Sequence, residues 1–223
     1  MSKPVELLVF IDVICPWCYV GKRRMEKALA MLGVAERIRV GWLPFELNPD
    51  MPKEGIERRL YRMRKFGSWE RSQQLDAQLT EVGAEEGLAL RYDLIARTPN
   101  TFDAHRLVWR ARTLAGGQEP VVEGLLRAYF TQGRDIGDPN VLADIASEAG
   151  FGRAEAMAFL AGEEGAAEVA QEEEAVRRAG LTGVPAFIIE GRALVGAQPP
   201  ETIAATLRNA MGLAPAAQAS LHR

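Results

Sequence analysis

The sequence is short of several things. It has two cysteines and two histidines in 223 residues, only 7% aromatics, and no basic excess: 27 Lys and Arg against 30 Asp and Glu give a net charge of -3. Two cysteines exclude a secreted scaffold stapled by several disulfides. A slightly acidic chain with pI ≈ 5.6 offers no bulk positive field to hold phosphates, which speaks against a nucleic-acid partner. The apolar run at residues 7–11 lies between Glu6 and Asp12, far short of a membrane-spanning helix. The basic region, long apolar stretch and cleavage site of a signal peptide are also missing. These absences lead us to expect a mature cytoplasmic chain with no membrane partner. A glycine-rich phosphate loop, a Ser/His/Asp order, a repeat period and a low-complexity linker are all lacking.

What remains is ordinary globular material, 48% hydrophobic and 26% charged, enough for a real core. Residues 5–11, Val-Glu-Leu-Leu-Val-Phe-Ile, read as a mostly buried strand. After the segment Asp12 to Cys18, Tyr19, Met25, Ala28, Leu29 and Leu32 recur at helix-face spacing, with Gly33 as a C-cap. Residues 37–43 alternate as a second strand, ended by Pro44 and the Asn48-Pro49 turn. At the other end, residues 184–189 and 193–195 flank the turn Glu190-Gly191-Arg192 as a β-hairpin. Pro199-Pro200 then opens a last helix to about Met211. The stretch between reads as helical throughout, with helix starts near Ser68, Asn100 or Thr101, Glu119, Asp138-Pro139, Arg153 and Glu164. A βαβ opening and a ββα close around a helical block predict an α/β, thioredoxin-like fold with a large all-helical insertion. We place the thioredoxin-like domain at 1–50 and 181–212, the insertion at 51–180 and a flexible tail at 213–223.

The densest chemistry is Cys15-Pro16-Trp17-Cys18, which holds both cysteines of the chain. Two cysteines placed at random would fall at this spacing in roughly 1% of cases. The pair sits after a strand and at a helix start, where free N–H groups and about half a positive charge favour thiolate over thiol. Cys15, at the edge, is the expected attacking nucleophile. Cys18, one turn inside, is the expected resolving thiol. Pro16 fixes φ at the first helical position, and Trp17 offers a substrate an apolar surface. Two structural readings compete: a pair of inert buried cysteines, and half a zinc site, for which His105 and His222 are the only histidine partners. We expect no metal.

Thr182-Gly183-Val184-Pro185 is the second signal. A proline opening a strand lies at an edge, or carries a cis bond. With no N–H at Pro185, the Val184 backbone is left open to pair with an extended substrate. Asp12, three residues before Cys15, either orders the turn or accepts a proton. Asn48 and Asn100 either cap and turn the chain or line a cleft. His105 is either packed and hydrogen-bonded or a proton shuttle.

Taken with Phe10 to Cys18, Pro44-Phe45-Glu46-Leu47-Asn48-Pro49, Asn100 to Arg106, Thr182 to Pro185 and Val195-Gly196-Ala197-Gln198, the chain resembles the DsbA-like thioredoxin superfamily over nearly its whole length. It is most similar to the cytosolic FrnE-type branch. The resemblance implies a thiol–disulfide oxidoreductase with a cis Pro185 facing the dithiol. Sister enzymes of the kappa glutathione transferase and hydroxychromene-carboxylate isomerase type carry Ser at the position of Cys15 and bind glutathione. By that likeness Val184, Gly196, Ala197 and Gln198 match the region that holds the glutathione peptide. Glutathione is thus a candidate co-substrate, with no tightly bound cofactor expected. The second cysteine motif of some FrnE-type proteins is missing here. The expected partner is a thiol or disulfide substrate (protein, peptide or glutathione), acted on by a monomer or homodimer. A glutathione-dependent transferase or isomerase is the alternative, and a peptide-binding module is a third reading.

Overall fold

The computed structural model describes residues 4–33 and 35–213, so the tail expected at the C-terminus, and His222 in it, lie outside the described residues apart from Leu213. Four strands form the main sheet: β1 (Val5–Ile11), β2 (Ile38–Pro44), β5 (Ala186–Ile189) and β6 (Arg192–Val195). Their order is β2-β1-β5-β6. β1 runs parallel to β2 from Val5 opposite Ile38 to Ile11 opposite Pro44, and antiparallel to β5, with Val9 opposite Phe187. The crossover between the parallel strands is helix α1 (Pro16–Leu32), closed by Gly33 in the left-handed conformation (φ 64°). Helix α9 (Pro200–Ala210) packs against α1. This is the expected thioredoxin-like arrangement.

Strand alternation divides the core between two sides of the sheet. Leu7, Val9 and Ile11 are buried in the main core, which runs on into the helical block. Phe10 belongs to a second, smaller cluster with Phe45 and Ala186, against which Val176 of helix α8 (Ala166–Arg178) packs.

β2 is an edge strand, yet one of its residues has both outward backbone groups paired. The Gln118 amide accepts from Trp42 N–H at 3.0 Å and donates to Trp42 C=O at 2.8 Å. A side chain thus supplies the two hydrogen bonds that a further strand would have made. Gln118 immediately precedes helix α5 (Glu119–Gln132), so the same residue ties the helical block to the sheet. α1 is anchored to α5 as well. The almost fully buried Lys22 ammonium meets Glu119 at 2.5 Å, Glu123 at 2.7 Å, and Glu26. Three carboxylates surround one buried cation and balance its charge.

The middle of the chain is helical as expected, with α3 (Trp69–Glu85), α4 (Phe102–Arg110), α5, α6 (Pro139–Glu148), α7 (Arg153–Ala161) and α8. Asp138 caps α6 by accepting from Asn140 N–H, with Pro139 at the first position, as its sequence indicates. One feature departs from the sequence reading. A two-stranded ribbon, β3 (Ile56–Glu57) with β4 (Arg97–Thr98), interrupts the helices. Helix α2 (Arg58–Phe66) follows β3 directly, started by Glu57, whose carboxylate accepts from the N–H groups of Arg59 and Leu60. The ribbon was hidden for a physical reason: two-residue strands have no measurable period. No described helix is long and apolar enough to cross a membrane.

Candidate active site

Cys15 stands at the N-cap of α1 with extended backbone angles (φ -90°, ψ 113°) and Pro16 at the first helical position. Its N–H donates to the Asp12 carbonyl at 2.9 Å, and its carbonyl accepts from Cys18 N–H at 3.0 Å. Both cysteines are free thiols, Cys15 4% exposed and Cys18 fully buried. The Val184–Pro185 peptide bond is cis. Across from it the Cys15 sulfur points at the Val184 carbonyl oxygen, Sγ···O 3.6 Å, although the two residues are 169 positions apart. The thiol of Cys18 is pushed well up, first by burial and then by its hydrogen bond and charge interaction with Cys15. Cys18 therefore holds its proton tightly.

A cavity of about 330 Å³ opens over Cys15. Pro16, Trp17, Val184 and Asn48 line it, while Pro185, expected in the cleft, is not among its lining residues. Trp17 is 43% exposed, an unusual position for a tryptophan unless something packs on it. Asn100 is elsewhere: it lines a second cavity, donates to Met51 C=O and accepts from Phe102 N–H just before α4. Gly196, Ala197 and Gln198 are also not among the residues lining the cavity over Cys15. Gly196 N–H donates to Pro185 C=O at 2.7 Å, Ala197 C=O accepts from Arg24, and Gln198 bonds Val195 C=O and Gly196 C=O. These three residues tie the proline loop and the hairpin end together.

Sequence reasoning missed three groups at the site. Gly21, in α1, lies so close to the loop that a Cβ there would stand 2.9 Å from Pro185 Cγ and 3.3 Å from Phe187 Cζ. Arg58, Arg62 and Lys65 of α2 line the cavity, as do Tyr92 and Tyr129. Only the run of basic residues was there to be noticed, and no periodicity tied it to Cys15.

Beneath the loop lies a buried charged cluster. The Asp12 carboxylate accepts from Leu47 N–H at 2.7 Å, joining the turn before Cys15 to the chain after β2. His105 Nε2 is 3.4 Å from Asp12 Oδ1, long for a hydrogen bond. Burial lowers the affinity of His105 for a proton, but Asp12, then Glu173 and Glu46, raise it, and the balance lies above the ordinary value. Glu46 is pushed up to about 8, first by burial and also by Glu173 and Asp12 against the opposing pull of His105. Asp12 thus both orders the turn and faces the buried His105.

The raised Glu46 has a thermodynamic sign. The folded chain holds the proton to about pH 8, whereas an ordinary carboxyl sheds it near 4.5. Stability linked to Glu46 is therefore complete below the lower value and falls as pH rises through that window. Glu46→Gln, which cannot ionise, is expected to gain about 2–4 kcal/mol over wild type between pH 5 and pH 8. Urea midpoints of both proteins at the two pH values check this, and a constant difference would refute it.

A dithiol at a helix start, facing a cis-proline loop on a βαβ–ββα sheet, defines a thioredoxin-fold protein of the thiol oxidoreductase class. The chain belongs to the DSBA-like thioredoxin domain family, which matches residues 6–208. A probable DsbA oxidoreductase from Streptomyces coelicolor superposes with a TM-score of 0.85 at 33% identity, covering 95% of this chain and 92% of that one. The cytosolic disulfide reductase DsbM from Pseudomonas aeruginosa, solved with GSH, gives 0.63 at 22% identity over 93% of this chain and 100% of its own, a likeness of fold. The uncharacterized protein YwbO of Bacillus subtilis is 27% identical over 196 residues, 86% of this chain and 90% of its own length.

Proposed function

We propose that the protein is a cytoplasmic thiol–disulfide oxidoreductase that works through Cys15 and Cys18. The observation that carries this reading is the Cys15 sulfur, 3.6 Å from the Val184 carbonyl and opening into a cavity, with Cys18 buried one helical turn behind it. Cys15, at the positive end of the helix and beside the cavity, is the sulfur placed to attack as its thiolate. That thiolate attacks a substrate disulfide: a Cys15–S bond forms, the substrate S–S bond breaks, and one thiolate leaves. Cys18 then attacks the Cys15 sulfur, its proton passing to the second leaving thiolate. Two electrons have moved from the enzyme dithiol to the substrate, and the enzyme is left as a disulfide. Run backwards, the same steps oxidise a substrate dithiol. Glutathione, as a thiol of the cytoplasmic pool, is the candidate co-substrate that restores the dithiol.

Cys18→Ala tests the scheme. With no resolving thiol, the mixed disulfide on Cys15 should persist, and hydroxyethyl disulfide should leave one added mercaptoethanol unit on the Cys15 peptide by mass spectrometry. No adduct at Cys15 would sink the proposal. A glutathione-dependent isomerisation unaffected by Cys18→Ala would favour the transferase reading instead.

A further inference from the structure

The cavity over Cys15 is rich in hydrogen-bond donors and poor in acceptors of charge. Arg58, Arg62 and Lys65 line it, and no Asp or Glu among the described residues does, in a chain whose net charge is -3. One carboxylate, Asp76, serves two of these cations, meeting Arg58 at 2.6 Å and Arg62 at 2.5 Å. Burial holds the Arg62 guanidinium below its ordinary value despite that partner; its Nε and one amino group also donate to Ser72, and among the described residues the other amino group is left for a ligand. Lys65 has no carboxylate partner among the described residues; its ammonium donates to Tyr61 OH at 2.7 Å.

Two neutral donors are also vacant. Asn48 Nδ2 and Tyr92 OH are buried without hydrogen-bond partners, and both residues line this cavity. The orientation of Asn48 follows from its neighbours. Lys65 donates to Tyr61, and Tyr61 donates to Asn48 Oδ1 at 2.6 Å, so the amide oxygen is used and the NH2 group is left over. A buried donor without an acceptor costs roughly 1–3 kcal/mol, which a ligand oxygen would recover.

The ligand must bring sulfur to Cys15, and about 330 Å³ is at the small end of molecular pockets. Guanidinium and amide N–H groups match the two oxygens of a carboxylate. We propose that the cavity selects small disulfides bearing carboxylate groups, with Arg62, Lys65, Asn48 Nδ2 and Tyr92 OH receiving the carboxylate while Cys15 takes the sulfur. This rests on the oxidoreductase reading and uses its chemistry unchanged: the disulfide is the oxidant, the enzyme dithiol the reductant, and two small thiols are released.

The test is a single turnover of the pre-reduced full chain with three disulfides of similar size: dithiodipropionate, which carries two carboxylates; hydroxyethyl disulfide, which is neutral; and cystamine, which carries two ammonium groups. Each rate is divided by that of the same disulfide with free dithiothreitol, which removes intrinsic reactivity. The expected order is anionic, neutral, cationic, with a span of about tenfold or more at low salt. The span should shrink as ionic strength rises. Lys65 is exposed, so Lys65→Glu should fold, and it should cut the anionic-to-cationic ratio by about tenfold. The ratio is internal to each preparation and does not depend on its active fraction. Equal normalised rates, a cationic preference, or a ratio unmoved by Lys65→Glu would overturn the proposal. So would an acidic cystine peptide that reacts faster than dithiodipropionate, since the selected ligand would then not be small. Loss of exchange with all three disulfides in wild type would instead count against the oxidoreductase reading itself.

Discussion

Cys15→Ser is expected to lower disulfide exchange at least about a thousandfold, while Cys18→Ala leaves the first attack on a disulfide close to its wild-type rate. The asymmetry follows from position. Cys15 is at the helix edge, beside the cavity and at the positive end of the α1 dipole, where its sulfur can reach a substrate. A serine hydroxyl there gains the same field but stays protonated near neutrality, and oxygen does not form the covalent link to sulfur on which exchange depends. Cys18 has no exposed surface, and burial together with Cys15 pushes its thiol up, so it cannot replace the missing nucleophile. Stopped-flow measurement of the first thiol released from hydroxyethyl disulfide by each pre-reduced variant separates the roles. Comparable rates for wild type and Cys15→Ser would defeat the assignment of Cys15.

Gly21→Ala is expected to slow exchange by about ten- to a hundredfold while the chain stays folded. In an exposed helix interior this change would stabilise the protein by up to about 1 kcal/mol. Here the new methyl group would meet Pro185 Cγ at 2.9 Å and Phe187 Cζ at 3.3 Å. Neither partner is a flexible chain end: one is a ring fused to the backbone, the other a buried ring in the sheet. α1 cannot back away easily, since it is held by α9 and by the three carboxylates around Lys22. The strain falls on the loop at residues 184–185, and it carries the Val184 carbonyl out of register with the Cys15 sulfur. Far-UV circular dichroism should be unchanged while kcat/KM for a disulfide drops. A Gly21→Ala protein that is more stable and fully active would show that the approach has slack.

The parts of the fold that the sequence revealed are those fixed by local chemistry. The strand before Cys15, the proline at the helix start, the left-handed Gly33 and the Asp138 cap each depend on residues within a turn of one another. The dithiol was legible for the same reason, and the cis bond at Pro185 came through family resemblance rather than pattern. What stayed hidden depends on distant partners. His105 meets Asp12 across 93 positions, and the Cys15 sulfur meets Val184 across 169. Gly21 looked like any helical glycine because its reason lies in another segment. Asn48 and Asn100 looked alike in sequence, yet the ribbon and α4 carry Asn100 to a different cavity.

The Gln118 amide that completes the edge of β2 has a consequence for chain assembly. An edge closed by one side chain is open in any state in which α5 has not yet docked, and Trp42 then presents a bare donor and acceptor. During synthesis, a neighbouring polypeptide could zip onto that rim before the helix arrives. The same two bonds that finish the sheet within one molecule keep separate molecules from being stitched together.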